Sequence, residues 1–224
     1  PDVAVVQHNV PRLVKDLLMP PDVAAIYALT PEEVRGLTGR DREKLQRRLN
    51  EYHERLFAGI RAEIDKAARL SRGLEGRQVD LLVWPETTIQ EPLNPGSRPH
   101  LREEAQRIQD QALETIRALG QKLDCRLLVG APYLVIERMS GGKKMAAYGP
   151  EAEHSANSVY YFASEGQLRG RYDKMHLVPF GEYVPLVRIF PFLGVFTPMT
   201  RNLTPGSIPE VFELEPPGRA SVKF

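Results

Sequence analysis

A single cysteine, Cys125, stands in 224 residues, which excludes an intrachain disulfide and any zinc site built on several thiolates. Long apolar runs are missing as well: nothing approaches the roughly 18 residues of a membrane-spanning helix. Charge of one sign is lacking too. Thirty Lys and Arg face 29 Asp and Glu, a net charge of +1, so the basic excess expected of a phosphate-neutralising nucleic-acid binder is absent and no nucleic-acid partner is expected. The five histidines, His8, His53, His100, His154 and His176, keep no ligand spacing, and no metal or cofactor is expected. Gly141-Gly142-Lys143-Lys144 lacks the flanking glycine spacing of a phosphate loop and reads as an exposed hairpin tip. No signal-peptide pattern precedes the first apolar run. With neither an initiator methionine nor a closing turn after Phe224, the sequence reads as a piece of something longer. What is present is ordinary for a globular chain. A 42% hydrophobic, 26% charged composition supports a sizeable core and is too apolar for wholesale disorder.

Val3-Ala4-Val5-Val6 reads as a buried strand. Residues 10 to 40 are rich in proline and read as loop with short helical pieces. From about Asp41, Leu45, Leu49, Tyr52, Leu56, Ile60, Ile64, Ala67 and Leu70 recur at steps of three and four, the face of a long amphipathic helix. Thr38 and Asp41 cap its start and Gly73 stops it. Val79 to Trp84 forms a second strand, broken by Pro85. A second helix covers roughly 100 to 119 on the stripe Leu101, Ala105, Ile108, Ala112, Ile116 and Leu119, with Gly120 at its end. Arg126 to Gly130 is a third strand. Strand, helix, strand, helix, strand argues for an α/β sheet with crossover helices. Shorter strands follow at Tyr133–Glu137, Asn157–Phe162 and Leu168–Tyr172, with turns at Ser140–Gly142 and Ser164–Gln167. One domain, residues 1–224, is the simplest organisation.

In open α/β sheets ligands bind beyond the carboxyl ends of the strands. Glu86 sits there, in Trp84-Pro85-Glu86-Thr87, where a strand-ending proline fixes the backbone direction. Between an indole and an apolar strand end its carboxylate would be partly desolvated and suited to general base or acid work. The plain alternative is a surface-loop glutamate. Lys174 follows another strand, in Tyr172-Asp173-Lys174-Met175-His176, and a lysine there can offset charge on a developing oxyanion. Glu182, after Gly181, is placed to orient that lysine or the base. The alternative is that Asp173 and Lys174 are solvated charges and His176 a satisfied loop histidine. Cys125 precedes its strand, so it belongs at the opposite edge of the sheet from Glu86 and reads as buried and structural.

Taken together these pieces resemble the nitrilase, or carbon–nitrogen hydrolase, superfamily. The motifs are the strand into Trp84-Pro85-Glu86-Thr87, then Leu128 to Pro132, then Asn157-Ser158-Val159, then the long run from Tyr172 to Leu186. Within it, His176 to Pro185 and the opening Val5-Val6-Gln7-His8-Asn9-Val10 are most similar to the nitrilase-like domain of the apolipoprotein N-acyltransferase branch. The resemblance runs from Val3 to about Gly206, and the run from Tyr172 to Leu186 is its most specific part.

It implies an αββα sandwich, here one partial nitrilase-like domain incomplete at the C-terminus. It implies a Glu-Lys-Cys catalytic set, with Glu86 as general base, Lys174 as stabiliser of the tetrahedral intermediate and Glu182 as the supporting glutamate. In the acyltransferase branch a cysteine takes an acyl chain from a phospholipid as a thioester. It then passes the chain to the α-amino group of a lipoprotein's diacylglyceryl-cysteine. The resemblance thus implies a bacterial inner-membrane enzyme facing the periplasm, held to the membrane by parts outside this chain. Its partners are a phospholipid donor and a lipoprotein acceptor. The family nucleophile lies on the strand after Phe224, so these 224 residues alone are expected to be inactive. The membrane helices that precede the domain in the family are missing. A tryptophan of better-studied members has no counterpart near Asp16, and the stretch from Pro11 to Leu45 is longer than expected. A soluble amidase of the same superfamily and a non-catalytic nitrilase-fold binding protein are the alternatives. The proline-broken run from Tyr183 to Met199 cannot span a bilayer. It either fills the core or forms a flap whose Phe190, Phe192, Leu193 and Phe196 admit a lipid chain.

Overall fold

The computed structural model describes residues 1–6, 23, 26, 29–134, 155–179, 181–183, 203–215 and 221–224. Five strands form a mixed sheet in sequential order: β1 (Val3–Val5), β2 (Leu81–Trp84), β3 (Arg126–Leu134), β4 (Ser155–Phe162) and β5 (Leu168–Asp173). β1, β2 and β3 run parallel, and β4 and β5 are added antiparallel. Before β2 come a short helix α1 (Pro31–Gly36) and a long one, α2 (Gly39–Arg72). Helix α3 (Glu103–Leu123) joins β2 to β3. Two short strands, β6 (Glu213–Leu214) and β7 (Val222–Lys223), pair with each other. The α/β architecture expected from the sequence is present.

Both parallel steps need a crossover, and the two long helices supply them. Contacts His53–Arg102, Asp65–Gln111 and Glu75–Lys122 rise together along α2 and α3, so the helices lie parallel on one face of the sheet. Their apolar faces meet it in the main core, which holds Ile60, Ile64, Ala67, Ile108, Ala112 and Ile116 against Leu82, Trp84, Leu127, Val129, Tyr160 and Phe162. All six residues of the stripe expected for α3 are buried. On α2 full burial begins only at Phe57; Leu45, Leu49, Tyr52 and Leu56 are half-buried, and Leu70 is exposed. On the other face Phe212 and Leu214 pack against Leu81 and Tyr161.

The ends follow local chemistry. Thr38 Oγ accepts from the Asp41 amide and starts α2, as expected, and Thr30 with Glu33 closes a full capping box on α1. Gly73 ends α2. Gly120 does not end α3, which runs on to Leu123 and stops at Asp124 in the left-handed conformation. Gly120 serves packing: a Cβ there would stand 2.5 Å from the Ser164 carbonyl oxygen. Tyr133 and Leu134 of the separate strand expected at Tyr133–Glu137 belong to β3, which continues through Pro132; residues 135–137 lie outside the described residues. β2 stops flanking β3 at Val129, so Pro132 lies where one edge is free and a missing N–H is tolerated. The turn at Ser140–Gly142 lies outside the described residues.

Candidate active site

The end of β2 is anchored before it turns. The buried Trp84 ring donates from Nε1 to Ser71 Oγ at 2.9 Å, and that hydroxyl donates to the Ala67 carbonyl of α2. Pro85 then breaks the strand. Its carbonyl accepts from both the amide and the hydroxyl of Thr88, folding the next residues into a tight turn with Thr87 at φ 60°. The turn rests on β3 at Gly130, whose carbonyl accepts from the Ile89 amide. A Cβ on Gly130 would collide with the Pro85 carbonyl oxygen and stand 2.7 Å from Glu86 Cα. Gly130→Ala therefore forces the Glu86 turn off the sheet. The expected loss is about 1–3 kcal/mol, the usual cost of overpacking, read from chemical denaturation.

Glu86 emerges from this turn into a cluster of four side chains. Asn157 of β4 donates from Nδ2 to Glu86 Oε1 at 2.6 Å and lies 3.0 Å from Glu182 Oε1. Lys174, one residue past β5, donates from Nζ to Glu182 Oε1 at 2.9 Å and stands 3.6 Å from Glu86 Oε1. Glu182 closes its own loop: Oε2 accepts from the Val178 amide at 2.9 Å, and its amide donates to the Val178 carbonyl. The structure thus brings Glu86, Lys174 and Glu182 together at the carboxyl end of β2, with the ammonium hydrogen-bonded to Glu182 and within ion-pair distance of Glu86.

Their environments differ. Glu182 is the most covered, its side chain 12% exposed. Burial opposes its charge, but the Val178 amide, Lys174 and Asn157 together outweigh burial and hold its carboxyl below the usual range. The hydrogen bond to Glu182, assisted by the charge of Glu86, holds the Lys174 ammonium above the ordinary lysine range despite some burial. Lys174 is thus a fixed cation at neutral pH. Glu86 departs from expectation: its side chain is 57% exposed, not desolvated, because the Trp84 ring turns into the helix-side core and leaves the carboxylate unroofed.

Asn157 is the residue that motif reading missed as a site component. Its signal was a carboxamide in a strand otherwise rich in apolar and aromatic residues, where asparagine is uncommon. Cys125 is fully buried beside the start of β3, and burial pushes its thiol up to about 11. It lies about four strand residues, roughly 13 Å, from the Glu86 end of the sheet. Cys125→Ser is expected to leave activity unchanged and to cost about 1–3 kcal/mol of stability for the buried hydroxyl, visible as a lower melting temperature. Among the described residues no cluster of His, Cys, Asp or Glu suits a metal ion, and no helix is long and apolar enough to cross a membrane. Phe190, Phe192, Leu193 and Phe196 lie outside the described residues. Next to the cluster along the chain, Met175, His176, Leu177, Tyr183, Leu203 and Pro205 line a cavity of about 340 Å³.

The carbon–nitrogen hydrolase family model matches residues 24–211. The chain belongs to this family. Its similarity to curated relatives is partial. The apolipoprotein N-acyltransferase of Rhizobium rhizogenes strain K84 is 36% identical over 120 residues, covering 54% of this chain and 18% of that protein. The apolipoprotein N-acyltransferase of Pseudomonas aeruginosa is 35% identical over 130 residues, 57% of this chain and 19% of that protein. The match thus spans about a fifth of the length of these relatives. Among solved structures, a mutant of a Nesterenkonia amidase from the nitrilase superfamily superposes with a TM-score of 0.42 at 16% identity, over 73% of this chain and 49% of that one.

Proposed function

We propose that residues 1–224 form a nitrilase-like domain of an apolipoprotein N-acyltransferase. In this reading the domain works at the periplasmic face of a bacterial inner membrane and moves an acyl chain from a phospholipid to the α-amino group of a lipoprotein's diacylglyceryl-cysteine. The observation that carries the reading is the convergence of Glu86, Lys174 and Glu182 on one another at the carboxyl end of β2. Partial similarity to apolipoprotein N-acyltransferases, over a little more than half of this chain, supports the choice of substrate.

The steps follow from the charges. A thiol supplied by a residue outside this sequence gives its proton to Glu86, and the thiolate attacks the phospholipid ester. Lys174 balances the oxyanion of the tetrahedral intermediate. Collapse breaks the ester C–O bond and forms the thioester, and the lysophospholipid alkoxide takes the proton back from Glu86. In the second half the lipoprotein amine attacks the thioester carbon and gives a proton to Glu86. Collapse breaks the C–S bond, leaves an amide and returns the proton to sulfur. Glu182 touches neither substrate; it holds Lys174 and the loop in place.

The test uses the complete protein in detergent with a phospholipid and a synthetic diacylglyceryl-cysteine peptide. Mass spectrometry should find a covalent acyl-enzyme with phospholipid alone and an N-acylated peptide once the acceptor is added. An enzyme that instead hydrolyses small amides and never acylates the peptide would return the chain to the soluble-amidase reading.

A further inference from the structure

Leu203-Thr204-Pro205-Gly206 crosses the end of the sheet and is tied down by three main-chain hydrogen bonds. The Thr204 amide donates to the Ser155 carbonyl at 2.8 Å, the Leu203 amide to the Glu182 carbonyl at 2.8 Å, and the Gly206 amide to the Lys174 carbonyl at 3.0 Å. Two of the three acceptors are the backbones of cluster residues, and the third begins the strand that carries Asn157. The Lys174 amide donates in turn to the Asn157 carbonyl at 2.8 Å, so the Lys174 backbone is held along both edges. Closeness explains Gly206: a Cβ would collide with the Asp173 carbonyl oxygen and stand 2.9 Å from Asp173 Cβ. Asp173 has little freedom to give way. Its carboxylate accepts from Ser158 Oγ at 2.6 Å and from Arg171 at 3.0 Å, and the Arg171 guanidinium lies 3.3 Å over the Tyr133 ring.

We propose that Leu203–Gly206 is a positioning strap that sets where Lys174 and Glu182 stand relative to Glu86. The strap acts through the backbones of Lys174 and Glu182, whose carbonyls it holds. A shift of about 1 Å would part contacts now at 2.9 and 3.6 Å, and misplacements of that size cost on the order of 10²-fold in rate. The inference rests on the proposed function for what the cluster does, but the placing of the cluster can be measured without any reaction.

The experiment compares three variants by NMR. Gly206→Ala forces the strap off Asp173. Leu203→Pro removes the N–H given to the Glu182 carbonyl without crowding Asp173. Gly166→Ala is the control: this glycine has φ +80°, and a Cβ would stand 2.7 Å from Arg117 Cβ at the β4–β5 turn, far from Lys174. The readouts are hydrogen exchange of the Val178 amide, which is bound to Glu182 Oε2, and the carboxyl titration of Glu182. Both strap variants should speed Val178 exchange about tenfold or more and move the Glu182 midpoint up toward the ordinary value. Gly166→Ala should lower the melting temperature and leave both readouts in place. The strap idea fails if the readouts stay put in the strap variants, or if Gly166→Ala moves them as far. Should Gly206→Ala not fold, Leu203→Pro decides. Absence of acyl transfer in the unsubstituted complete protein would overturn the proposed function and leave these NMR results standing.

Discussion

Glu86→Gln in the complete protein leaves the fold intact and ends thioester formation. A glutamine keeps the shape of the side chain and an oxygen where Asn157 Nδ2 donates at 2.6 Å, so the hydrogen-bond frame survives. What it loses is the capacity to take a proton. General base catalysis is worth about 10²–10⁴-fold, and here both half-reactions pass a proton through the same carboxylate. The side chain is more than half exposed, so the cost to stability should stay within about 0.5 kcal/mol, the usual range for a surface substitution. Mass spectrometry of the protein with phospholipid alone is the direct check. Normal acyl-enzyme accumulation in Glu86→Gln would remove Glu86 from the base role.

Much of the frame behind that prediction was legible in the residues. Apolar runs placed β1, β2 and the start of β3, and helical spacing placed α2 and α3, because each element buries one face against a common core. β1 is not the buried strand expected, since Val3 and Val5 are exposed and only Ala4 and Val6 face the core. The strand-end positions of Glu86 and Lys174 put both at a sheet end, since β2 ends two residues before Glu86 and β5 one residue before Lys174. Three features were not legible. Asn157 gained its place from the register of β4 against β5, where the Lys174 amide meets the Asn157 carbonyl, and register depends on partners far apart in sequence. Gly120 looked like a helix stop but is a contact with the Ser164 loop. Glu86 looked desolvated because tryptophan precedes it, yet alternation along β2 sends the indole to the helix face and leaves the carboxylate open. In each case tertiary packing, not the local signal, assigned the residue its role.

Lys174→Met should lower the acyl-transfer rate by about 10²–10³-fold, the range for removing one preorganised oxyanion stabiliser. Methionine fills much of the same volume, so the loss isolates the charge. Arginine is not a conservative rescue, because its rigid fork cannot reproduce a single ammonium held 2.9 Å from Glu182 Oε1 and 3.6 Å from Glu86 Oε1. The effect on stability is small and depends on pH with a definite sign. Glu182 raises the folded Lys174 above its ordinary value, so the lysine's contribution is complete below that value and fades as pH climbs through the folded one. Glu182 is held below its ordinary value, so its contribution is complete above that value and fades as pH falls through the folded one. The pair therefore stabilises the fold between the ordinary carboxylate and lysine ranges. Both side chains are largely covered, so desolvation offsets part of their attraction and the net amount is on the order of 1 kcal/mol. Thermal melts of Lys174→Met against the unsubstituted protein should differ slightly at neutral pH and converge in acid as Glu182 protonates. Kinetics at neutral pH should show the full rate loss in a protein that is still folded. A Lys174→Met enzyme that transfers acyl chains at the normal rate would mean that the ammonium is a structural partner of Glu182 and that the oxyanion is balanced elsewhere.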